Sequence, residues 1–384
     1  MKGCRQRVNA TSFRKVGRKR TPLGLLFGFS LSIFSCAVQS EAAEYTSFNL
    51  RVHDLKPDLR LGCDVAASRE TLVIGACGDD EFAGAAYVFS RSNGLWTQMQ
   101  KLKAPCPLPD DWFGSAVAID GSNIVCALTG PSDDVYTGSA HVYQQTGNGW
   151  QHTAELTATD GEAWDLFGVS LDISGETIAV GTPRGWWTDP PGSVYIFDLE
   201  GGTWTQKATL RANDATLNDR FGQSVSLDGD ILVVIAGGEM FTDAIGKVYV
   251  FERTAGVWRQ TKTYQPEDAQ SSDGFGSAIA LSGTRIVVGA PGKNGGTGAV
   301  YVLEKRGASW FRTATLTPAC HGKRLRRHRG GVRGSHRGRH HGRAPRGPRV
   351  PARFRDHGPK WPCCVLTSSA CHRGATLPWR LPGM

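Results

Sequence analysis

The dipeptide Phe-Gly recurs in this chain at a constant interval of 54 residues. A fixed period of this length indicates a repeat architecture, because one small supersecondary unit cannot bury its apolar faces alone and must stack on its neighbours. The period therefore constrains the fold more strongly than any single residue does. The four copies are Phe113-Gly114, Phe167-Gly168, Phe221-Gly222 and Phe275-Gly276.

Tryptophan keeps the same step along the chain, and so does a block of aromatic and β-branched residues that runs from Tyr87-Val88-Phe89 to Tyr301-Val302-Leu303. The tryptophans are Trp96, Trp150, Trp204, Trp258 and Trp310. Five units are visible, and the first begins with Leu61-Gly62 in place of Phe-Gly. We place the units near residues 61–108, 109–162, 163–216, 217–270 and 271–320.

Each unit is predicted to form four short strands, and the pattern is clearest in the last unit. Phe275 to Leu281 alternates apolar and small residues, Arg285 to Gly289 is rich in β-branched residues, and two further strands follow at Ala299 to Leu303 and Trp310 to Leu316. Glycine-containing turns separate them. Four antiparallel strands per repeat predict an all-β fold, a β-propeller with five recognisable four-stranded blades. The Trp and Tyr columns are then expected to lie mainly in the cores between blades.

The order of Phe-Gly, a β-branched strand, a Gly-x-Val-Tyr type of strand and Trp resembles FG-GAP repeats, the type found in integrin-α propellers. The resemblance covers roughly Leu61 to Ala319, and Gly289-Ala290-Pro291 is the intact copy of Gly-Ala-Pro. Kelch repeats are the nearest rival, but they require a Gly-Gly pair after the second strand of every unit, which this chain lacks. We therefore expect an FG-GAP propeller over residues 44–320.

An additional strand is predicted before the first unit. Leu50 and Asp54 precede Leu61 by the same distances at which Leu210 and Asp214 precede Phe221. Tyr45 to Val52 is therefore interpreted as a spare outer strand, of the kind that closes a propeller by completing a blade from the other terminus. The predicted fold is five blades plus this N-terminal orphan strand, truncated from a larger propeller.

The two ends of the chain carry its positive charge. Residues 1–20 hold eight Lys or Arg and no acid, and residues 321–384 hold 16 Lys or Arg and the single acid Asp356. The residues between them contain 20 Lys or Arg against 34 Asp or Glu. The formal net charge of +9 therefore describes the ends, and the acidic repeat region is expected to repel nucleic acid.

Two interpretations of the basic tail, residues 321–384, remain open. Its Arg-Gly pairs, such as Arg329-Gly330-Gly331, are typical of tracts that bind an anionic polymer, either RNA or a polysaccharide. Alternatively, the tail is an out-of-frame translation, because shifting the codons of Lys323 to Arg327 by one nucleotide permits a Gly-Phe-Gly sequence close to Asp273–Gly276. We favour the second interpretation, with a disordered tail in place of a sixth blade.

Residues 1–43 are interpreted as a signal peptide. Basic residues precede an apolar run from Leu23 to Val38, and small residues follow at Ser40 to Ala43. The apolar run is short for a membrane span. The protein is therefore predicted to be secreted or at the cell surface, with an uncleaved signal anchor or a lipoprotein box at Ile33 to Cys36 as alternatives.

Four of the ten cysteines lie in the repeats, and none recurs from unit to unit. They are Cys63, Cys77, Cys106 and Cys126. No common disulfide framework is therefore expected. Cys63 and Cys126 are interpreted as small buried residues, with a bridge from Cys63 to Cys77 as the alternative.

A column of aspartates stands two residues before each Phe of Phe-Gly. Such carboxylates either surround the propeller axis as cation ligands or accept backbone N–H groups that fix a turn. We favour the turn. The residues are Asp111, Asp165, Asp219 and Asp273.

The resemblance also implies a calcium loop after the second strand, where integrin-type units carry the pattern Asp-x-Asp-x-Asp-Gly. This chain departs from the pattern, because Asp79-Asp80-Glu81 and Asp133-Asp134 lack the alternate spacing. No cofactor is predicted. Asp79, Asp80 and Glu81 remain the weak candidates for a metal, and Asp79, Asp80, Asp133 and Asp134 are candidates for ligand binding.

Trp186-Trp187 is the most unusual loop feature of the repeats. The pair either forms a platform for a sugar or a protein, or packs onto the neighbouring blade. The sequence contains no Gly-x-Ser-x-Gly or His-Glu-x-x-His motif. We therefore predict an exported, non-catalytic, adhesion-type propeller that presents its loops to a protein or glycan. The alternatives are a propeller tethered by its basic tail and a propeller hydrolase that uses Asp165 and Asp219.

Overall fold

A computed structural model describes residues 50–130, 136–183, 191–216, 219–237 and 245–318. The predicted signal peptide, the basic tail from residue 321 and most of the predicted orphan strand lie outside these residues. The chain divides into two compact units, Met1–Leu316 and Thr317–Met384. Every described strand belongs to the first unit. Within the described part of the chain, no helix combines the length and the apolar character that a membrane crossing requires.

The described residues form twenty strands in five antiparallel sheets, and each sheet contains four strands in chain order. The first sheet contains β1 (Leu61–Ser68), β2 (Thr71–Ala76), β3 (Ala85–Ser92) and β4 (Leu95–Leu102). The second contains β5 (Val117–Asp120), β6 (Asn123–Leu128), β7 (Ser139–Thr146) and β8 (Gly149–Leu156). The third contains β9 (Ser170–Ser174), β10 (Thr177–Thr182), β11 (Ser193–Glu200) and β12 (Thr203–Leu210).

The fourth sheet contains β13 (Ser224–Asp228), β14 (Ile231–Ala236), β15 (Lys247–Thr254) and β16 (Val257–Tyr264), and the fifth contains β17 (Ile279–Ser282), β18 (Arg285–Ala290), β19 (Ala299–Arg306) and β20 (Ser309–Leu316). Two four-residue turns, α1 (Asp79–Phe82) and α2 (Lys293–Gly296), follow the second strands of the first and fifth sheets. A 3-10 turn spans Ser271–Asp273. The last three strands predicted for the last unit are confirmed, whereas the first begins at Ile279 and not at Phe275, because Phe275 and Gly276 lie in a turn.

The hydrophobic cores lie between consecutive sheets, because the β-branched strands of each sheet bury both faces. In β14, Val233 and Ile235 pack towards the fifth sheet. Leu232 and Val234, on the opposite face of the same strand, pack towards the third sheet. The first strands of consecutive sheets also contact one another, from β1 to β5 and onward to β17. Five four-stranded sheets stacked in this way confirm the β-propeller fold class.

The Phe of each Phe-Gly pair lies in a core between two sheets. Phe221 is fully buried, and its ring stands edge-on to Tyr249 and Phe251 at centroid distances of 5.4 and 5.9 Å. The residue before each Phe or its Leu61 equivalent has a left-handed backbone. These residues are Arg60, Trp112, Leu166, Arg220 and Gly274, with φ between 49° and 62°.

Hydrogen bonds from backbone N–H groups to side-chain oxygens also connect the hairpin turns of consecutive sheets. The N–H of Gly175 donates to Asp120 Oδ2 at 2.7 Å, and that of Gly283 donates to Asp228 Oδ2 at 2.6 Å. Gly229 donates to Ser174 Oγ in the same manner. A short acceptor side chain in one turn thus fixes the position of the next turn.

Only Leu50 to Val52 of the predicted orphan strand lie within the described residues, and these residues do not form a strand. Val52 and Leu59 nevertheless pack in the core of the first sheet. The N–H of His53 donates to Gln98 Oε1 at 2.9 Å. The ends of two fourth strands are joined to the next sheet by the same bond, Thr159 N to Gln206 Oε1 and Asn213 N to Gln260 Oε1.

Because this bond is shared, Leu50 to Asp54 occupies the same place on the first sheet that the end of a fourth strand occupies on the next sheet along the chain. The fifth sheet has one face that is less covered than its counterpart in the fourth sheet. Val300 and Val302 are only partly buried, whereas Val248 and Val250, at the same places in the fourth sheet, are fully buried. Within the described part of the chain, the outer face of the fifth sheet therefore has less cover than the corresponding face of the fourth sheet.

The prediction that Cys63 is an unpaired buried residue is wrong. Cys63, in β1, forms a disulfide with Cys77, just after β2, with a Cα–Cα distance of 6.3 Å. The two residues face each other across the antiparallel pair, and this proximity is a tertiary property that their spacing alone did not decide. Cys106 is also disulfide-bonded. Cys126 is unpaired and buried, which confirms its prediction.

Candidate ligand-binding loops

The predicted ligand-binding residues all lie in the loops after the second strands. The structure describes this loop in the first and fifth sheets. Asp133, Asp134, Trp186 and Trp187 lie outside the described residues, so their predicted roles stay predictions. Asp79, Asp80 and Glu81 form the turn α1.

The three acids of α1 differ in their surroundings. The side chain of Asp79 is fully buried, and its Oδ2 lies 2.8 Å from Lys101 Nζ. Asp80 is more exposed and pairs with Lys103 Nζ at 2.7 Å. Glu81 has a left-handed backbone, with φ of 58°. Across the described part of the chain, no group of three or more His, Cys, Asp or Glu side chains is arranged to hold a metal ion.

Lys101 links α1 to the segment before the first sheet, because its ammonium also donates to Asp54 Oδ2. Burial disfavours the charge on Lys101, but hydrogen bonds with Asp54, Asp79 and Tyr87 outweigh burial and raise the pKa of the ammonium. Burial likewise opposes the charge of Asp54, yet Lys101 and Tyr87 hold the pKa of its carboxyl below the ordinary value. Lys101 and Asp54 therefore both carry their charges at neutral pH.

The aspartate column before Phe-Gly closes turns in every copy. Oδ2 of each residue accepts the backbone N–H of the residue three positions earlier, as Asp165 does from Glu162 at 2.8 Å and Asp273 does from Gln270 at 2.9 Å. The matching donors are Leu108 for Asp111 and Thr216 for Asp219. These hydrogen bonds agree with the favoured interpretation of the column as a set of turn acceptors.

A partly exposed pair of aromatic rings lies where the second and third sheets meet. Tyr136 precedes β7, and Trp164 lies in the loop between β8 and β9. Their rings stack at a centroid distance of 4.6 Å and an interplanar angle of 20°, and Trp164 is 46% exposed. Leu166 N donates to Tyr136 O at 3.1 Å, which joins the two loops.

Sequence reasoning missed this pair, because neither residue recurs in the repeat. A departure from the repeat was the available signal, since Trp164 stands outside the regular Trp column. Both residues have left-handed backbones, with φ of 51° for Tyr136 and 69° for Trp164. The residues one repeat earlier, Phe82 and Asp110, have the same conformation with φ of 67° and 65°, so this backbone belongs to the repeat and the paired aromatic side chains are what differ.

Two partly buried acids on first strands were also missed. Asp172 Oδ2 accepts the N–H of Leu227 at 2.7 Å from the neighbouring sheet, and Asp64 Oδ2 accepts that of Val117 at 2.8 Å. Burial raises the pKa of Asp172 to about 6, although its N–H donors act in the opposite direction. The two acids connect neighbouring sheets, which is a structural role.

The second sheet contains a histidine pair in place of residues found in the other sheets. His141 occupies the Tyr column, and its Nδ1 lies 3.2 Å from His152 Nε2. Ser139 Oγ lies 3.2 Å from His141 Nε2 on the other side of the ring. Burial lowers the pKa of His141 to about 4, and the neighbouring His152 acts in the same direction. Because Ser139 and His141 are both buried, they lack the access that a nucleophile and its base require.

Comparison with known proteins identifies a repeat family. Five segments match the FG-GAP repeat family and together cover more than half of the chain. From the second segment onward, each begins at the Trp of a fourth strand and ends in the third strand of the next sheet, so the sequence repeat spans two sheets. The segments are residues 53–89, 96–143, 150–197, 204–251 and 258–303.

Individual relatives are distant. Integrin alpha-X from Homo sapiens is 24% identical over 204 residues, which is 48% of this chain and 17% of that protein. The chain thus spans less than a fifth of the length of this relative. Among solved structures, YjhT is 13% identical with a TM-score of 0.41, over 68% of this chain and 85% of that one. A structure from a study of two prolyl endopeptidases is 15% identical with a TM-score of 0.41, over 64% and 32% of the two chains.

Proposed function

Because this chain belongs to the FG-GAP repeat family, we propose that it is an exported, non-catalytic, adhesion-type propeller that binds an extracellular protein through the loops between its sheets. The similarity to integrin alpha-X supports a binding role. The disulfide between Cys63 and Cys77 supports export, because such bridges persist in oxidising compartments.

The partly exposed stack of Tyr136 and Trp164 is the observation on which the proposal rests. An aromatic pair at the surface offers a flat apolar area at a low cost in conformational entropy, and aromatic residues dominate the energetics of protein interfaces. The hydrogen bond between Leu166 N and Tyr136 O holds the two loops together before any ligand arrives. The surface is therefore preorganised.

Charge around the stack indicates which partners fit. Asp160 and Glu162 lie in the same loop as Trp164, and the repeat region as a whole is acidic. A nucleic acid is therefore disfavoured, and a neutral or basic protein surface is favoured. A glycan is the alternative partner, because sugar rings also stack on tryptophan.

The aspartates proposed for a hydrolase are engaged in the fold. Asp165 Oδ2 accepts a turn N–H from Glu162, and the carboxylate of Asp219 accepts N–H groups from Thr216 and Phe221. These bonds support a structural role for both residues.

The test uses the full chain and an array of immobilised extracellular proteins and oligosaccharides. We expect the protein to bind one or more array proteins, with Trp164→Ala weakening that binding at least tenfold. Leu95→Ala is the matched control, because Leu95 is an exposed apolar residue in the hairpin between β3 and β4, far along the chain from the stack. Binding to oligosaccharides alone would favour the glycan alternative, and a Trp164→Ala variant that binds as wild type does would contradict the proposed surface.

A further inference from the structure

The turns α1 and α2 have the same backbone but opposite charges at their first residue. In α1 the φ angles of Asp80 and Glu81 are 53° and 58°, and in α2 those of Asn294 and Gly295 are 55° and 67°. Each turn is closed by the same kind of bond, from Gly84 N to Asp79 O and from Gly298 N to Lys293 O, both at 2.9 Å. Asp79 in the first sheet and Lys293 in the fifth therefore occupy equivalent positions.

These turns are where the resemblance to integrin-type repeats implies calcium, and their residues do not fit that ion. Calcium takes six to eight oxygen ligands. In α1 the buried carboxylate of Asp79 is already contacted by Lys101 Nζ at 2.8 Å, with Lys56 and Lys103 each at 3.8 Å. A divalent cation at Asp79 would stand beside three ammonium groups and would be repelled by them.

In the fifth sheet an ammonium group itself lies at the turn. Lys293 Nζ lies 2.9 Å from Asp273 Oδ2 and 3.1 Å from Asp268 Oδ2. Burial disfavours the charge of Lys293, but the two aspartates outweigh burial and raise its pKa. The ammonium thus remains charged and forms an ion pair with each of the two carboxylates.

A third lysine forms the same arrangement from another position in the chain. Lys247, the first residue of β15, pairs with Asp214 Oδ2 at 2.8 Å. Asp214 precedes the fourth sheet as Asp54 precedes the first and as Asp268 precedes the fifth. Each of these aspartates meets a lysine, yet the lysines come from a third strand, a fourth strand and a loop. The feature common to the three sites is a lysine ammonium group beside the aspartate. The position of that lysine in the chain differs from site to site.

We propose that lysine ammonium groups take the place of a divalent cation in the loops of the first and fifth sheets. The folded conformation of α1 and α2 is then independent of calcium. Lys101 acts as the internal counter-ion that joins the segment before the first sheet, through Asp54, to the buried Asp79. Chelation cannot release this counter-ion, because it is covalently part of the chain.

The first experiment measures the Tm of the full-length protein in millimolar calcium and in excess EDTA, and records terbium luminescence on titration. We expect the same Tm in both buffers and no sensitised luminescence. A Tm that rises in calcium, or terbium luminescence that calcium displaces, would overturn the proposal. This comparison needs no variant and therefore does not depend on whether a substitution folds.

The second experiment removes the counter-ion. Lys101→Met leaves Asp79 buried without its nearest cation, so we expect the Tm to fall by roughly 5–10 °C, whereas Lys101→Arg keeps the charge and most of the Tm. Lys262→Met is the matched control, because Lys262 is an exposed lysine of the fourth strand β16. If Lys101→Met does not fold, Lys293→Met tests the same idea in the fifth sheet. If the Tm of the Lys→Met variant is unchanged, the substituted lysine does not act as a counter-ion, and the proposal fails for that sheet.

Discussion

Substitution of Gly192 by alanine tests whether small residues allow neighbouring sheets to approach closely. Gly192 directly precedes β11, and a Cβ added there would overlap the carbonyl oxygen of Phe221 and lie 2.9 Å from its backbone nitrogen. Its φ lies outside the left-handed region, so alanine adds a steric conflict alone. Gly121 is the comparison site for backbone strain without a steric conflict, because its φ is 54° and no atom lies within 4 Å of an added Cβ.

The structure gives different magnitudes for the two substitutions. At Gly121, a left-handed backbone costs alanine about 1–2 kcal/mol, and reduced freedom of the unfolded chain returns about 0.4–1 kcal/mol. The net loss therefore lies between about 0 and 1.6 kcal/mol. At Gly192 the backbone of Phe221 must move, and overpacking of this kind costs about 1–3 kcal/mol. Disturbing the edge contacts of Phe221 with Tyr249 and Phe251 adds about 0.5–1.5 kcal/mol for each contact that is lost.

We therefore expect Gly192→Ala to lower the free energy of unfolding by about 2–4 kcal/mol, well beyond Gly121→Ala. Urea denaturation followed by tryptophan fluorescence and far-UV circular dichroism measures both, and coincident transitions justify a single free energy. Gly138→Ala combines a φ of 77° with overlap at Phe167 and should destabilise at least as much as Gly192→Ala. If Gly192→Ala costs no more than Gly121→Ala, close approach of the sheets does not constrain this position.

Three further predictions concern particular sheets. Folding lowers the pKa of His141 from its unfolded value near 6.5 to about 4, so the folded protein favours the neutral imidazole. The free energy of unfolding therefore keeps its full value above pH 6.5, and it should fall by up to about 3 kcal/mol as the pH drops towards 4. Acid titration of the unfolding free energy checks this, and a profile that His141→Tyr leaves unchanged would refute it. Replacing both cysteines of the Cys63–Cys77 disulfide with serine should cost about 3 kcal/mol, because the bridge closes a short loop, and a Tm insensitive to the change would contradict this. Val248→Ala should cost about 2 kcal/mol and Val300→Ala about half as much, because only Val248 is fully buried; equal losses in urea denaturation would show that the fifth sheet is covered.

Much of the fold could be predicted because the repeat multiplies every local signal. Tyr249 belongs to a column that recurs in register, so its burial between sheets followed from the period. The turn role of Asp165 followed from the general behaviour of aspartate before a strand. These inferences required local chemistry and a constant spacing, and the chain supplies both.

The candidate site was less predictable, because it consists of residues that depart from the repeat. Tyr136 and Trp164 meet only because two neighbouring sheets bring separate loops together, and the sequence separation of 28 residues gives no sign of the stack. The lysines around Asp79 come from the segment before the first sheet and from β4. No sequence motif links these lysines to Asp79, because only the pairing of strands in the folded chain places them side by side.

The sequence alone determined the repeat, the four-stranded unit and the burial of its Tyr column, since these follow from periodicity and from the need of each sheet to cover its faces. The tertiary structure decided which charges meet. It paired Asp79 with Lys101 and Asp273 with Lys293, and it joined Cys63 to Cys77. The physical reason is that burial depends on residue type, which can be read along the chain. Ion pairs and disulfides depend instead on distances of a few ångströms between side chains on separate segments, which only the folded chain sets.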